Sequence, residues 1–352
     1  KYNYDFNHES QQTSPDPMRR VHINRRDSWQ WGQLIEQIDY KYENGIYIAV
    51  KKKNWDWSQE LFKDTKTQAG KIIQITLGNG DFSVSDTYYV SDNIWSGCKR
   101  LKKETTVDLF PSGNITTFVQ SYFDESKDHM LPVKTETGNS KGSLITQEYK
   151  YTEDIVCSGI AEQARQKLLN ENRLATVIEQ SKKEGNVTEK TLNEYKIFSS
   201  NLALPNLIKT NTGSNSEYEN RIIFNSYTNK GNITSMASAS GPELVFLWGY
   251  NNQYPIAKIE NSSYQQVVTA LQSQGLTVEQ LGGSNLPDIA KVNALRTLLP
   301  AAHVYTYTYK PLVGMVSETD PNGIVTEYDY DSFGRLIKVL DMDRNILKQF
   351  EY

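Results

Sequence analysis

Cysteine is scarce: Cys98 and Cys157 are the only two in 352 residues, and neither stands in a CxxC spacing. No disulfide framework or zinc ribbon can organise such a chain, although one disulfide and two free thiols fit the spacing equally well. Long apolar runs are missing as well. No stretch reaches the roughly 20 apolar residues that a membrane-spanning helix requires, so no membrane span is expected. Neither sign of charge dominates, with 38 Lys and Arg against 42 Asp and Glu and a formal net charge of −4. That balance leaves no electrostatic footprint for nucleic acid or an anionic membrane. The one basic cluster, Arg19, Arg20, Arg25 and Arg26, has no base-stacking platform beside it and reads as a solvated face.

Signatures of chemistry are equally thin. His8, His22, His129 and His303 are scattered without HxxxH or HEXXH spacing, so no metal or other cofactor is expected. Gly282-Gly283-Ser284 has no strand before it and no Lys-Ser/Thr after it, which excludes a phosphate loop. No GxSxG elbow occurs. Asp341-Met342-Asp343-Arg344-Asn345 imitates the start of a calcium loop, but Ile346 occupies the glycine position and Tyr352 the bidentate glutamate position, so it reads as a turn.

What is abundant is tyrosine, 22 residues within an aromatic content of 11%, beside only 38% hydrophobic residues. Too aromatic for a disordered chain, this composition suits sheets with one packed and one wet face. Short alternating runs recur between Gly/Asn corners. Leu34 to Lys41 and Ile46 to Lys53 flank Glu43-Asn44-Gly45; Lys71 to Leu77 and Phe82 to Val90 flank Gly78-Asn79-Gly80. Asn and Gly tolerate the positive φ that tight hairpins demand. Gly113-Asn114-Ile115-Thr116, Gly231-Asn232-Ile233-Thr234 and Gly323-Ile324-Val325-Thr326 form a degenerate internal repeat. In His303 to Lys310, period two puts His303, Tyr305, Tyr307 and Tyr309 on one face and Val304, Thr306, Thr308 and Lys310 on the other.

Helical spacing interrupts this pattern twice, over 160–172 and over 263–299, the latter as Ser263 to Leu281 and Leu286 to Leu299 ending at Pro300. Such insertions are expected to cap an open end or edge of a sheet. The fold expected is mainly β, an extended, twisted antiparallel sheet of successive hairpins. Its regions are a polar arm or linker (1–32), β-hairpins (33–158), a β-region with a short helix (159–261), a helical insertion (262–300) and terminal hairpins (301–352). The chain opens at Lys1 without Met or an apolar leader and stops at Tyr352 after a strand-like run. It is therefore expected to be a processed product or an internal piece.

The C-terminal stretch Asp320-Pro321-Asn322-Gly323, Tyr328-Asp329-Tyr330-Asp331-Ser332-Phe333-Gly334-Arg335-Leu336, Asp341, Asn345 and Tyr352 resembles the YD repeat of the Rhs family of large exported bacterial proteins. The stretches from Leu247 to Ile259 and from Thr306 to Met315 look like those that precede such repeats. The resemblance is strong over 304–352, fair over 218–259 and weak elsewhere. Physically, Asp331 can accept a backbone N–H at the start of its turn, Gly334 supplies the positive φ for leaving it, and Arg335 can reach Asp329 or Glu327. Arg344 stands where the family has glycine, which predicts a wider or strained turn. Gly323, Tyr328, Asp329, Tyr330, Asp331, Gly334, Arg335, Asp341 and Asn345 are thus structural residues, and no catalytic residue is assigned. The Asp320-Pro321 pair does not carry over the family's self-cleaving site, because a full repeat follows it.

The resemblance implies a secreted or surface-exposed, non-catalytic structural and interaction module that encloses or presents a partner. That partner would be the rest of the same polypeptide, downstream repeats or a C-terminal toxin as in polymorphic toxins, with export machinery or a surface ligand also possible. The first alternative is a carbohydrate- or surface-binding adhesin module in which Trp29, Trp31, Trp55, Trp57 and Trp95 stack on sugars. The second is a glycoside hydrolase-like enzyme using two carboxylates from distant strands.

Overall fold

The computed structural model describes residues 2–5, 32–58, 65–76, 85–96, 99–213 and 217–352, with 3–5, 65–76 and 85–96 given as backbone. The chain divides into two compact units, Lys1–Tyr149 with Ser181–Thr188, and Lys150–Gln180 with Glu189–Tyr352. Among the described residues strands far outweigh helices, so the fold is mainly β as its composition implies.

The first unit is a meander. Its strands are β1 (Tyr2–Asp5), β2 (Gln33–Glu43), β3 (Ile46–Trp57), β4 (Thr65–Thr76), β5 (Ser85–Ser96), β6 (Leu101–Asp108), β7 (Ile115–Phe123), β8 (Pro132–Gly138) and the greater part of β9 (Leu144–Tyr151). β1 pairs β2, β2 pairs β3, and the ladder continues through β6, β7, β8 and β9, every pair antiparallel. β4 and β5 form a separate two-stranded ribbon, paired from Thr65↔Ser96 to Thr76↔Ser85. The corner Gly78-Asn79-Gly80 between them lies outside the described residues, as do Cys98, Trp29 and Trp31. Asn44 and Gly45 link β2 to β3 with φ of 51° and 84°, the left-handed pair that a two-residue hairpin needs. The run Lys51-Lys52-Lys53 is matched by acids on both neighbouring strands: Lys52 bonds Glu36, Lys51 bonds Asp108 and Lys53 bonds Glu104. Opposite charges facing each other across strands favour this register over its neighbours. Phe118 lies over Gly138, its direct cross-strand partner, in the space a Cβ would fill.

The second unit holds α1 (Gly159–Asn170), then the first half of β10 (Val177–Glu184), most of β11 (Val187–Ile197), and β12 (Ala203–Thr212), β13 (Glu219–Tyr227), β14 (Ile233–Ser238), β15 (Glu243–Gly249) and β16 (Tyr254–Glu260). Three helices follow, α2 (Tyr264–Gln272), α3 (Val278–Gly283) and α4 (Ile289–Leu298). The chain closes with β17 (His303–Lys310), β18 (Gly314–Thr319), β19 (Val325–Tyr330), β20 (Leu336–Leu340) and β21 (Ile346–Gln349). From β11 to β21 each strand pairs antiparallel with the next, including β16 with β17 across the helical insertion.

Both helical segments fall where spacing places them, but the long stretch from Ser263 to Leu281 is two helices. Gly275, at φ 67°, ends the first, and Thr277 restarts the chain with a capping box to Gln280. In α1, Ala164 and Leu168 are fully buried against Ala203, while Ile160 faces outward. The insertion covers a sheet face rather than an edge. Val245, Leu247, Ala257, Ile259 and Val304 from β15 to β17 meet Val267, Leu271, Leu281, Val292 and Leu295 from the helices, all buried. Burying a continuous apolar stripe on both partners is what makes a face, not a polar edge, the favourable seat.

The tyrosine face of β17 differs from simple alternation. Val304 and Thr306 form the buried side, beneath α4. Tyr309 nevertheless packs on that same core, where it stacks on Tyr254 at 4.7 Å and its backbone N–H donates to the Tyr250 hydroxyl. The register shift beside it puts its extra residue, Val316, on β18, so β17 itself stays regular.

Candidate functional site: the C-terminal YD hairpins

Three turns follow one another at the end of the chain with one geometry. In the first, Asp320 N–H donates to the Ile324 carbonyl and Gly323 N–H to the Asp320 carbonyl; the second repeats this with Asp331, Arg335 and Gly334, the third with Asp341, Asn345 and Arg344. Residue four of each lies in the left-handed region, Gly323 at φ 85°, Gly334 at 77° and Arg344 at 63°. This is a type I turn closed by a one-residue bulge, a loop whose twist suits antiparallel strands.

The aspartate that opens each turn holds it together. Oδ1 of Asp320 accepts from the N–H groups of Asn322 and Ile324, at 2.9 and 2.8 Å. Asp331 does the same for Phe333 and Arg335, both at 2.9 Å, and Asp341 for Asp343 and Asn345, at 3.0 and 2.8 Å. A short side-chain acceptor can satisfy turn donors that no strand reaches. Asn345 also sends its side-chain amide to Asp341 Oδ2.

The ion pairs differ from expectation. Arg335 Nε pairs with Asp331 at 2.7 Å, within its own turn, and its guanidinium lies over the rings of Phe333 and Tyr352. Glu327 and Asp329 are instead held by Arg344, at 2.8 and 3.4 Å. Glu327 stands opposite Leu340, next to the turn that carries Arg344, whereas Arg335 sits beyond the other end of β19. The turn containing Arg344 is no wider than its neighbours. It keeps the glycine-type geometry with a non-glycine residue in the left-handed region, which carries a backbone strain of about 1–2 kcal/mol.

The tyrosines of the motif pack. Tyr330 donates its hydroxyl to the Met315 carbonyl at 2.8 Å and occupies the space above Gly314 where a Cβ would stand. The Tyr328 hydroxyl lies 3.4 Å from Glu318, and the adjacent Tyr307 hydroxyl is pushed up to about 12, first by burial and then by Glu318. Of the candidate sugar-stacking tryptophans, Trp57 is half-buried and spends its N–H on the Leu34 carbonyl; the Trp95 side chain lies outside the described residues. Cys157 is a free thiol whose ionisation burial disfavours.

Two further copies of the turn occur, one at the Gly231 corner of the Gly-Asn-Ile-Thr repeat and one at Asn139, outside it. Asn139 accepts from Lys141 and Ser143 N–H with Gly142 at φ 79°. Thr228 accepts from Lys230 and Asn232 N–H with Gly231 at φ 86°. The signal is an oxygen-bearing side chain three residues before a glycine. A sixth copy at Phe198–Leu202 has Asn201 at φ 57° and no such side chain, so its sequence carries no mark.

The family model described as RHS Repeat matches residues 314–344, which is β18 to β20 with the first two aspartate turns and Arg344. The chain carries an RHS repeat. The match lies within the 304–352 stretch that carries the YD resemblance. A search of curated proteins finds no match. Among solved structures, the chain is similar to the Photorhabdus luminescens Tc holotoxin pore at 9% identity, covering 92% of this chain and 19% of that one, with a TM-score of 0.28. It is similar to the TcdB2-TccC3 structure at 9% identity, 95% and 18% coverage and TM-score 0.37, and to TcdB2-TccC3-Cdc42 at 9%, 91% and 18%, and 0.29. The chain thus spans about a fifth of the length of the structures it matches, 19% and 18%. With TM-scores this low, the RHS repeat rests on the matched residues and on the turns themselves.

The repeat has a pH signature. Asp331 lies below its ordinary carboxylate range chiefly through the Arg335 backbone N–H, then the Arg335 side chain and Phe333 N–H. Asp341 lies below its range through the Asn345 side-chain amide first, then the N–H groups of Asn345 and Asp343. A carboxylate whose folded pKa is depressed contributes its stability above the unfolded pKa of about 3.9 and loses it as pH falls through the folded value. Asp331→Asn keeps an acceptor but no charge. Its melting temperature is expected to lie below wild type near neutral pH, with the gap closing below pH ~4; thermal melts across that range check this, and a constant gap would contradict it.

Proposed function

We propose that this chain is a non-catalytic scaffold module of an exported bacterial Rhs/YD-repeat protein, a length of wall that encloses or presents another part of the same polypeptide. The observation that carries the reading is the succession of three aspartate-closed hairpins of one geometry, joining β18 to β21 without interruption. Side chains of the motif are consumed by their own turns and neighbours: Asp331 by three donors, Tyr330 by a carbonyl, Arg344 by two carboxylates. Residues so engaged hold backbone in place and leave no poised acid, base or nucleophile among them. Among the described residues, no group of three His, Cys, Asp or Glu could hold a metal, and no helix is long and apolar enough to cross a membrane.

In this reading each hairpin extends the sheet by a fixed increment, and the enclosed partner is the downstream part of the polypeptide, a toxin domain being the chemistry that most needs sequestering. The test is limited proteolysis of the full open reading frame carrying a C-terminal epitope. Protection of the epitope-bearing segment, lost when Gly334→Val opens the turn, supports enclosure. Equal cleavage in both proteins, or glycosidase turnover by the chain alone, overturns it.

A further inference from the structure

The loop joining β15 to β16 has the uncommon hand. Four-residue hairpin loops are most often built around a type I turn, whose central residues take negative φ. Here Tyr250, Asn251 and Asn252 stand in succession at φ 51°, 59° and 61°, all left-handed and none of them glycine. That region is disfavoured for every L-residue, least for asparagine, and is visited by single residues rather than by runs. A run of three persists only where the surrounding structure over-determines it.

The surrounding structure is the end of α3. Asn252 N–H donates to the Gly282 carbonyl at 2.8 Å and Asn251 N–H to the Ser284 carbonyl at 3.2 Å. The Asn251 side-chain amide donates to Asn285 as well. Carbonyls at a helix C-terminus have no intrahelical N–H to reach them, so these donors cap α3. Gly282 permits the approach, because the Asn252 Oδ1 lies 2.5 Å from where a Cβ there would stand. On the other side, the Asn232 side-chain amide donates to the Asn252 carbonyl at 2.6 Å, and Tyr309 N–H donates to the Tyr250 hydroxyl. The turn keeps its disfavoured hand while it caps α3, and α3 keeps its cap while the turn keeps its hand.

The insertion can leave the sheet without unpairing it. Glu260 at the end of β16 pairs with His303 at the start of β17, so residues 261–302 depart from and return to neighbouring positions. Asn261, at the point of departure, is itself left-handed at φ 60°. Hinges are a few residues at element ends that absorb a change in φ and ψ. Beneath the insertion lie Val245, Leu247, Ala257, Ile259 and Val304, an apolar face that opening uncovers.

We propose that residues 261–302 form a lid over the β15–β17 face, latched by the left-handed turn Tyr250–Asn252 and hinged where β16 meets β17. The lid goes beyond the scaffold reading and does not depend on it. Hydrogen exchange of the full chain, read by mass spectrometry, is the test. Amides of α2, α3 and α4 should exchange together and faster than those of β16 and β17. Asn252→Gly and Asn252→Ala both remove the side-chain amide, but only alanine bears the left-handed penalty. Exchange of the three helices should therefore be roughly tenfold faster in Asn252→Ala than in Asn252→Gly. Helices that exchange in step with β16 and β17 overturn the proposal, since the insertion then opens only with the sheet. Equal helix exchange in the two variants overturns it too, since the turn is then no latch.

Discussion

Leu295→Ala is expected to lower the unfolding free energy of the second unit by about 3 kcal/mol, within the 2–5 kcal/mol range for truncating a buried leucine. Leu295 has no solvent exposure and sits on α4 among Val292, Val304 and the buried residues of β15 and β16. Helix and sheet backbones on both sides limit collapse into the vacated space, which places the cost above simple transfer. The control is Ile160→Ala on α1, where the side chain is 60% exposed and the effect should stay within about 0.5 kcal/mol. Urea unfolding of both variants checks the pair; equal shifts would mean that the insertion does not seal this core.

Arg296→Met is expected to cost about 2–4 kcal/mol, because it removes one side chain and strands several acceptors. Its Nε donates to the Asp320 carbonyl at 2.9 Å, Nη1 to Asn293 at 2.6 Å, and Nη2 to the Thr319 carbonyl at 3.0 Å and Thr306 at 3.1 Å. Thr306 is buried and also donates to Asn293, so the guanidinium closes a network rather than a lone bond. Burial disfavours its charge, with Asp320 opposing that effect. Methionine keeps the apolar stem and isolates the loss of hydrogen bonding. Since Asp320 begins the first aspartate turn, amide exchange at Asn322 and Ile324 should rise in Arg296→Met while exchange around Asp341 stays unchanged. Uniform acceleration across all three turns would show that the arginine acts on global stability alone.

The candidate site was largely legible because its determinants are local. Asp331 and Gly334 are three residues apart, and the turn they make depends on one acceptor and one left-handed residue, both written in the chain. Even Arg344, read as a departure, keeps the turn because Asp341 and Asn345 still supply its bonds. The partner of Arg335 was not legible. Which carboxylate a long side chain meets depends on strand register and on which end of β19 it occupies, and neither is a property of a sequence window. The packing of Tyr309 was hidden for a related reason, since its partners Tyr250 and Tyr254 come from more than fifty residues away.

The amino-acid order by itself determined the hairpin rhythm, the aspartate turns and the positions of the helical segments, through φ preferences, side-chain reach and periodicity that act within a few residues. Only the tertiary structure decided that the insertion covers a sheet face and that Arg344 rather than Arg335 holds Glu327 and Asp329. Those outcomes depend on apolar area and charge brought together from distant parts of the chain, where burial and register, not local preference, set the free energy.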